Sequence, residues 1–344
     1  MVKLIHPSSF NSYSTLLPPN YNFEIPKLLR ILSKGYKRVA LQMPDGILQY
    51  AIVITGIIES NFDIDVIVLS DVVYGACCID DDICEQLNCD ILIHFGHSCL
   101  IPVNFMKVKV VYIFIEIIFD IEHSIKMIKK VMEKENVTNI AVLGTIQYNG
   151  SVQEINKRLN NPIYKIDPLS ASEVLGCTSP KVNADIIFFI ADGRFHLESL
   201  MINNPDKIFY RYCPFNKKIY KEEYDYKKMV NNRKGQIKEF YDSKNIGIIY
   251  SILGKQGNPK ILKNIVNKLQ DKNIYKFYLY EIKSDITSLP YIDAFVQISC
   301  TRLSVDWGTS FSKPMINPFE VFWENDEYKM DFYSKEKNEL YNNF

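Results

Sequence analysis

Eight cysteines carry the widest choice of chemistry in this 344-residue chain. A thiol packs as a small apolar group, attacks as a nucleophile once ionised, or binds a soft metal as a thiolate. Three cysteines sit in comparable surroundings: Cys77 in Gly75-Ala76-Cys77-Cys78-Ile79-Asp80, Cys177 in Leu175-Gly176-Cys177-Thr178, and Cys300 in Gln297-Ile298-Ser299-Cys300-Thr301-Arg302. Two of them follow a glycine closely, which lets backbone approach a bulky group. No CxxC pair occurs, so a local zinc knuckle is not expected, and the CxxxCxxC run of many radical enzymes is missing. Packing suits Cys84, Cys89 and Cys213. For the other three, spacing leaves packing, reactivity and metal binding open, and it does not separate Cys77 from Cys78.

The elements that must position these residues repeat three times. A β-branched run ends in a Gly-bearing loop, an amphipathic helix follows, and two more apolar runs complete the unit. The first unit reads as strand Arg38–Gln42, loop Met43-Pro44-Asp45-Gly46, helix Ile47–Ser60, and strands Asp65–Ser70 and Asp90–Phe95. The second reads as strand Asn139–Leu143, loop Gly144-Thr145-Ile146-Gln147, helix Ser151–Leu159, and strands Ile163–Ile166 and Asp185–Ala191. The third reads as strand Asn245–Ile252, loop Gly254-Lys255-Gln256-Gly257, helix Pro259–Lys272, and strands Ile274–Ile282 and Ala294–Ser299. Strands apolar on both faces, alternating with helices, predict an α/β fold of three doubly wound units with mainly parallel sheets. Expected domains are 21–120 with Cys77, 121–235 with Cys177 and 236–330 with Cys300. Phe119–Ser124 and the polar stretch Met229–Lys244 read as linkers, and the first 20 residues and last 15 or so as loose arms.

None of the glycine loops completes a dinucleotide or P-loop signature, and a strand-to-helix turn takes glycine for its backbone angles alone. All three nevertheless lie beyond strand carboxyl ends, where open α/β sheets bind ligands. Lys plus Arg number 40 and Asp plus Glu 40, so no global positive field exists to hold nucleic acid or an anionic membrane. The most apolar stretch, Val108 to Phe119, is interrupted by Lys109 and Glu116, short of the roughly 18 apolar residues that span a bilayer. The start, MVKLIHPSSFNSYS, lacks the pattern of a secretion signal. The expectation is a cytoplasmic protein, where disulfides are disfavoured.

Six ordered segments say more. They are Gly75-Ala76-Cys77-Cys78-Ile79-Asp80-Asp81, His94-Phe95-Gly96-His97-Ser98-Cys99-Leu100-Ile101-Pro102, Gly144-Thr145-Ile146-Gln147, Asp192-Gly193-Arg194-Phe195-His196-Leu197-Glu198-Ser199, Gly254-Lys255-Gln256-Gly257 and Cys300-Thr301-Arg302-Leu303-Ser304-Val305-Asp306-Trp307-Gly308. In this order they closely resemble the eukaryotic-type diphthamide synthase catalytic subunit family, also called the diphthamide biosynthesis protein 1 family, over about residues 38–324. The resemblance implies three Rossmann-like domains around a central 4Fe–4S cluster, with Cys77, Cys177 and Cys300 as its ligands and one iron left open for S-adenosylmethionine. It further implies reductive cleavage of the bond from sulfur to Cγ, and transfer of the 3-amino-3-carboxypropyl group to C2 of a histidine in translation elongation factor 2. Implied partners are a related diphthamide synthase subunit, or a second copy, and a small electron-donor protein.

Among residues that meet S-adenosylmethionine, Arg194 and Arg302 suit bidentate binding of its carboxylate. Asp192 and His196 end a strand beside them. Gly144, Thr145, Gln147, Lys255 and Gln256 are weaker candidates for adenosine or carboxylate contacts. His94 and His97 read equally as core groups, and Asp80, Asp81 and Asp82 suit either a bound cation or, at least as well, a helix cap. The chain has Cys300-Thr301-Arg302 where relatives commonly carry Cys-Pro-Arg, and Tyr212-Cys213-Pro214 where they commonly carry Tyr-Asp-Pro. Two other readings compete. One is a companion electron-relay subunit of the same complex without transfer activity; the other is a nucleotide-binding Rossmann enzyme whose cysteines merely pack.

Overall fold

Runs that are apolar on both faces become the inner strands of three four-stranded sheets in the computed structural model, which describes residues 15–70, 75–324, 327–334 and 339–343. Contacts divide the chain into two compact units. Residues up to Glu122 with Ile146–Ile155 form the first, and His123–Thr145 with residues from Asn156 onward form the second.

In the first unit β1 (Tyr21–Asn22) precedes α1 (Ile25–Leu32), β2 (Arg38–Gln42), α2 (Asp45–Leu48), α3 (Ala51–Asn61), β3 (Asp65–Leu69), α4 (Asp81–Gln86), β4 (Ile91–Phe95), β5 (Lys109–Ile113) and β6 (Glu116–Ile117). The sheet runs β3-β2-β4-β5, all parallel, and β1 pairs antiparallel with β6. Leu28 and Leu32 of α1, Ile54, Ile57 and Ile58 of α3, and the strand residues Val39, Leu41, Ile91, Ile93 and Phe95 form one buried cluster. Their spacing of three or four in the helices turns one apolar stripe onto the sheet. The expected helix Ile47–Ser60 is two helices, because the chain turns at Gln49 and Tyr50, where the Tyr50 amide closes on the Ile47 carbonyl at 2.9 Å.

The second unit begins with α5 (Ile121–Glu135), whose first residues and β7 (Ile140–Gly144) flank the division, and α6 (Asn149–Leu159) also crosses it. There follow β8 (Ile186–Ile190), α7 (Phe195–Asn203), β9 (Ile208–Cys213), β10 (Lys218–Glu222), α8 (Tyr226–Asp242), β11 (Asn245–Ser251), α9 (Pro259–Lys268), β12 (Asn273–Leu279), β13 (Ala294–Ile298), α10 (Thr301–Trp307), β14 (Met315–Ile316) and α11 (Pro318–Val321). One sheet runs β10-β9-β8-β7, parallel except for the β9–β10 hairpin. The other runs β12-β11-β13-β14 and is fully parallel.

Several expectations need correction. Phe119–Ser124 overlaps the start of α5, where the division between the units falls, and Met229–Lys244 is not a linker but lies mostly within α8. Polar residues dominate α8, yet Met229, Val230, Arg233 and Phe240 line its buried face and Asp225 caps its start by accepting from the Lys228 amide. No strand forms at Ile163–Ile166. Pro162 and Pro168 bracket the segment, remove two backbone donors and restrict the residues before them. A single parallel bridge between Gly144 and Glu173 stands in its place. The described part of the last 15 residues is no loose arm: Met330, Phe332, Tyr333 and Tyr341 are buried. Of the first 20 residues, 1–14 lie outside the described set. Among the described residues no helix is long and apolar enough to cross a membrane.

Candidate functional site

In the first unit the carboxyl end of β2 is a polar side chain in an apolar strand. Gln42 is fully buried, and its Nε2 donates to the Cys78 carbonyl at 3.1 Å and to Asp80 Oδ2 at 2.8 Å. Those two acceptors fix the amide, so Gln42 Oε1 faces His94 Nδ1 at 2.8 Å and His94 must carry its proton there. His94 Nε2 then accepts from His97 Nδ1 at 3.2 Å. Burial holds His94 well below the ordinary imidazole range and brings His97 down to about 4, so both rings are neutral donors and acceptors near neutrality. Gly75 lies against the His97 ring, where a Cβ would overlap it. The turn above leaves Cys78 buried at 3% exposure and Cys77 half-buried. The structure therefore separates two thiols that the sequence did not. Asp80 and Asp81 serve the framework, since Asp81 Oδ2 accepts from the Lys107 amide at 2.8 Å.

In the second unit Cys177 sits in a tight turn closed by the Leu175 amide on the Thr178 carbonyl at 2.9 Å. Ser199 Oγ of α7 donates to the Leu175 carbonyl at 2.5 Å, and the Phe332 amide donates to the Cys177 carbonyl at 3.1 Å. Cys300 lies two residues past the end of β13. Gln297 Nε2, fully buried, donates to the Cys300 carbonyl at 3.0 Å and to Ser304 Oγ at 3.1 Å. Gln256 Oε1 accepts from Ser299 Oγ at 2.7 Å and from Ser251 Oγ at 3.2 Å, which ties the Gly254–Gly257 loop to the residue before Cys300. Gln256 is thus a buried brace, while Lys255 beside it is half-buried. Gly257 has no room for a side chain, since the Ser251 carbonyl and the Tyr250 ring occupy that space.

Both arginines are paired within the chain. Arg302 is 3% exposed; it donates through Nη2 to Glu198 at 2.6 Å, through Nε to Asp306 at 2.9 Å and through Nη1 to the Phe195 carbonyl at 2.7 Å. Arg194 meets Glu222 at 2.5 Å and the Glu223 carbonyl at 3.0 Å. Asp192 is exposed, and its carbonyl accepts from Arg211 at 3.1 Å. His196 packs edge-on to Phe195 at 5.3 Å. Gly144 and Thr145 are buried at the carboxyl end of β7, and in the first unit Gln147 Nε2 reaches the Gly96 carbonyl at 3.4 Å.

Sequence reasoning missed Gln42, Gln297, Ser199 and Phe332 as braces. The available signal was a glutamine at or near the carboxyl end of an otherwise apolar strand, in Arg-Val-Ala-Leu-Gln and Ala-Phe-Val-Gln-Ile. Cys84 is fully buried, and burial with Cys89 beside it pushes its thiol up to about 12. Cys89 and Cys213 are buried as well. Cys77, Cys177 and Cys300 are half-buried and outside any disulfide. Each of these thiols, held in its own braced turn, is of the donor type that binds an iron–sulfur cluster. Among the described residues no three His, Cys, Asp or Glu side chains group to hold a single metal ion.

These features define a class, the multi-sheet α/β proteins that offer cysteines from separate strand ends. Residues 43–333 match the family described as "Putative diphthamide synthesis protein", and the chain belongs to that family. It is an enzyme of the 2-(3-amino-3-carboxypropyl)histidine synthase type. It is 45% identical to "2-(3-amino-3-carboxypropyl)histidine synthase subunit 1" of Encephalitozoon cuniculi over 95% of each chain. The protein of the same name in Saccharomyces cerevisiae is 40% identical, over 96% of this chain and 83% of that one. By these names each relative is one subunit of a larger assembly. Among solved structures, Dph2 from Pyrococcus horikoshii with a 4Fe–4S cluster matches with a TM-score of 0.77 and 25% identity, over 92% of this chain and 96% of that one.

Proposed function

We propose that this chain transfers the 3-amino-3-carboxypropyl group of S-adenosylmethionine to C2 of a histidine in translation elongation factor 2, the first step of diphthamide formation. The observation that carries the reading is the family match, which spans Cys77, Cys177 and Cys300. Cys77, Cys177 and Cys300 would hold a 4Fe–4S cluster, which when bound supplies the electron that breaks the bond from sulfur to Cγ and frees methylthioadenosine. The chain's own contribution is to fix the three thiols. Gln42 holds the turn of Cys77, Ser199 and Phe332 hold that of Cys177, and Gln297 holds that of Cys300. Gly144, Thr145, Gln147, Asp192, Arg194, His196, Lys255, Gln256 and Arg302 stand as candidates to contact the donor, at or just beyond strand carboxyl ends. Each four-stranded sheet would be the centre of one Rossmann-like domain, near the 21–120, 121–235 and 236–330 boundaries. A related subunit or second copy, an electron-donor protein and a cytoplasmic setting complete the proposal.

The test is anaerobic reconstitution with iron and sulfide, reduction in the presence of S-adenosylmethionine, and assay for methylthioadenosine. Cys177→Ala should lose most of the cluster absorbance, whereas Cys84→Ala, which removes a buried thiol, should keep it. Equal loss in both, or a colourless wild-type protein after reconstitution, would defeat the proposal. A cluster that forms but cleaves only when a second subunit is added would make this chain the companion.

A further inference from the structure

One phenyl ring stands between the loops of Cys177 and Cys300. Phe195 opens α7, and the edge of its ring fills the space where a Cβ on Gly176, the residue before Cys177, would lie. Its face is covered by the guanidinium of Arg302, two residues after Cys300, with Cζ 4.3 Å from the ring centroid. Arg302 is in turn locked by Glu198 of the same helix as Phe195, by Asp306 and by the Phe195 carbonyl. The cation is 3% exposed, yet the ring is 49% exposed. With half its surface in water, the ring gains only part of the stabilisation of a core phenylalanine. Its contacts are specific in direction, one on the edge and one on the face, as a flat and stiff aromatic allows.

We propose that Phe195, clamped by Arg302, is a positioning residue that sets the spacing and orientation of the Cys177 turn relative to the Cys300 turn. It thereby arranges two of the three thiolates offered to the cluster, and this part rests on the cluster reading above. Glycine at 176 is required because the ring must touch backbone. Arg302 fits because a planar guanidinium can stack on the ring and pair with two carboxylates at once.

The experiment has one arm that needs no cluster. In the apoprotein, maleimide labelling of each cysteine is followed by mass spectrometry for wild type, Phe195→Ala and Phe195→Tyr. Loss of the stacked cation and the ring edge should speed labelling of Cys177 and Cys300 together by roughly three- to thirtyfold. Cys77, in the other compact unit, should keep its rate, and Tyr should restore the wild-type pattern. In the reconstituted protein, Phe195→Ala should change the electron paramagnetic resonance spectrum of the reduced cluster and lose iron to a chelator faster. Unchanged labelling of Cys177 and Cys300 overturns the proposal, as does equal acceleration at Cys77, which would mean general loosening. Should wild type take up no cluster, the functional reading fails while the labelling pattern still decides the role of the ring.

Discussion

Replacing Glu320 by Gln should cost more stability than almost any other single change in the second unit. Arg233 of α8 is 1% exposed, and Glu320 of α11 is equally buried. Their pairing is two-pronged, with Nε to Oε1 at 2.6 Å and Nη2 to Oε2 at 2.8 Å. Glu320 also accepts from the Tyr328 hydroxyl at 2.8 Å and from the Asn317 amide at 2.8 Å, and Arg233 donates to the Met315 carbonyl at 2.9 Å. Gly308 gives the guanidinium its room, since a Cβ there would overlap it. Neutralising Glu320 strands a buried cation, which costs about 3–5 kcal/mol. In a unit of roughly 200 residues, each kcal/mol moves the melting temperature by about 2–4 °C, so a fall of about 6–20 °C is expected. Arg233→Met should cost a similar amount by stranding the carboxylate. The double variant should cost clearly less than the sum, by about 2 kcal/mol or more, because neither charge is then left alone. Thermal unfolding of the four proteins followed by circular dichroism gives the cycle. Single variants that melt within a degree or two of wild type, or strictly additive effects, would refute the argument.

His94 and His97 should make the first unit sensitive to acid. Both take up protons in the unfolded chain near pH 6.5 but resist them when folded, His97 down to about 4, so stability is full above pH 6.5 and falls as pH drops below it. For His94 the slope approaches about 1.4 kcal/mol per pH unit. Urea titrations between pH 7.5 and 5 should show this, His94→Gln should flatten it, and a flat wild-type profile would exclude it. Gln297→Leu should leave the fold intact at a cost of about 1–3 kcal/mol for the stranded Cys300 carbonyl and Ser304 hydroxyl. Its iron-to-protein ratio after reconstitution should fall below that of wild type; a ratio equal to wild type would remove Gln297 from the framework of the site.

The strands were legible wherever both faces are apolar. Arg38–Gln42 is read without error, and Asp185–Ala191 and Ala294–Ser299 within a residue at each end, because central parallel strands have no polar face to confuse the pattern. Edge and amphipathic elements were harder. Strand β5 begins at Lys109 inside an apolar stretch, and α8 hides a thin buried stripe under a polar sequence. Of the candidate site, residue types left the cysteines open between packing, reactivity and metal binding, and glycine marked the turns before two of them. The duties of Arg194 and Arg302 were not legible. An arginine two residues from a candidate ligand looks the same in sequence whether its carboxylate partner is a substrate or Glu198, which lies 104 positions away.

The thiols of Cys77 and Cys300 are fastened in the same way, by a buried glutamine amide on a strand that donates to the carbonyl of Cys78 or of Cys300 itself. Cys177 has no such strand beneath it, since the segment expected to supply one is irregular. Its turn is instead held by hydrogen bonds that run through the end of the chain. The Cys177 carbonyl accepts from the Phe332 amide at 3.1 Å, the Phe332 carbonyl from the Asn343 amide at 2.9 Å, and the Asn343 carbonyl from Asn258 Nδ2 at 3.0 Å. Asn258 caps α9 immediately after the Gly254–Gly257 loop, whose Gln256 accepts from Ser299 beside Cys300. The terminal segment therefore joins the Cys177 turn to the loop that braces Cys300. A local helix or strand end can fix one thiol, but two thiols on different sheets need a common strut, here a relay of main-chain and side-chain hydrogen bonds. That is why aromatic residues as late as Phe332 and Tyr341 are buried in a stretch whose sequence suggests a loose arm.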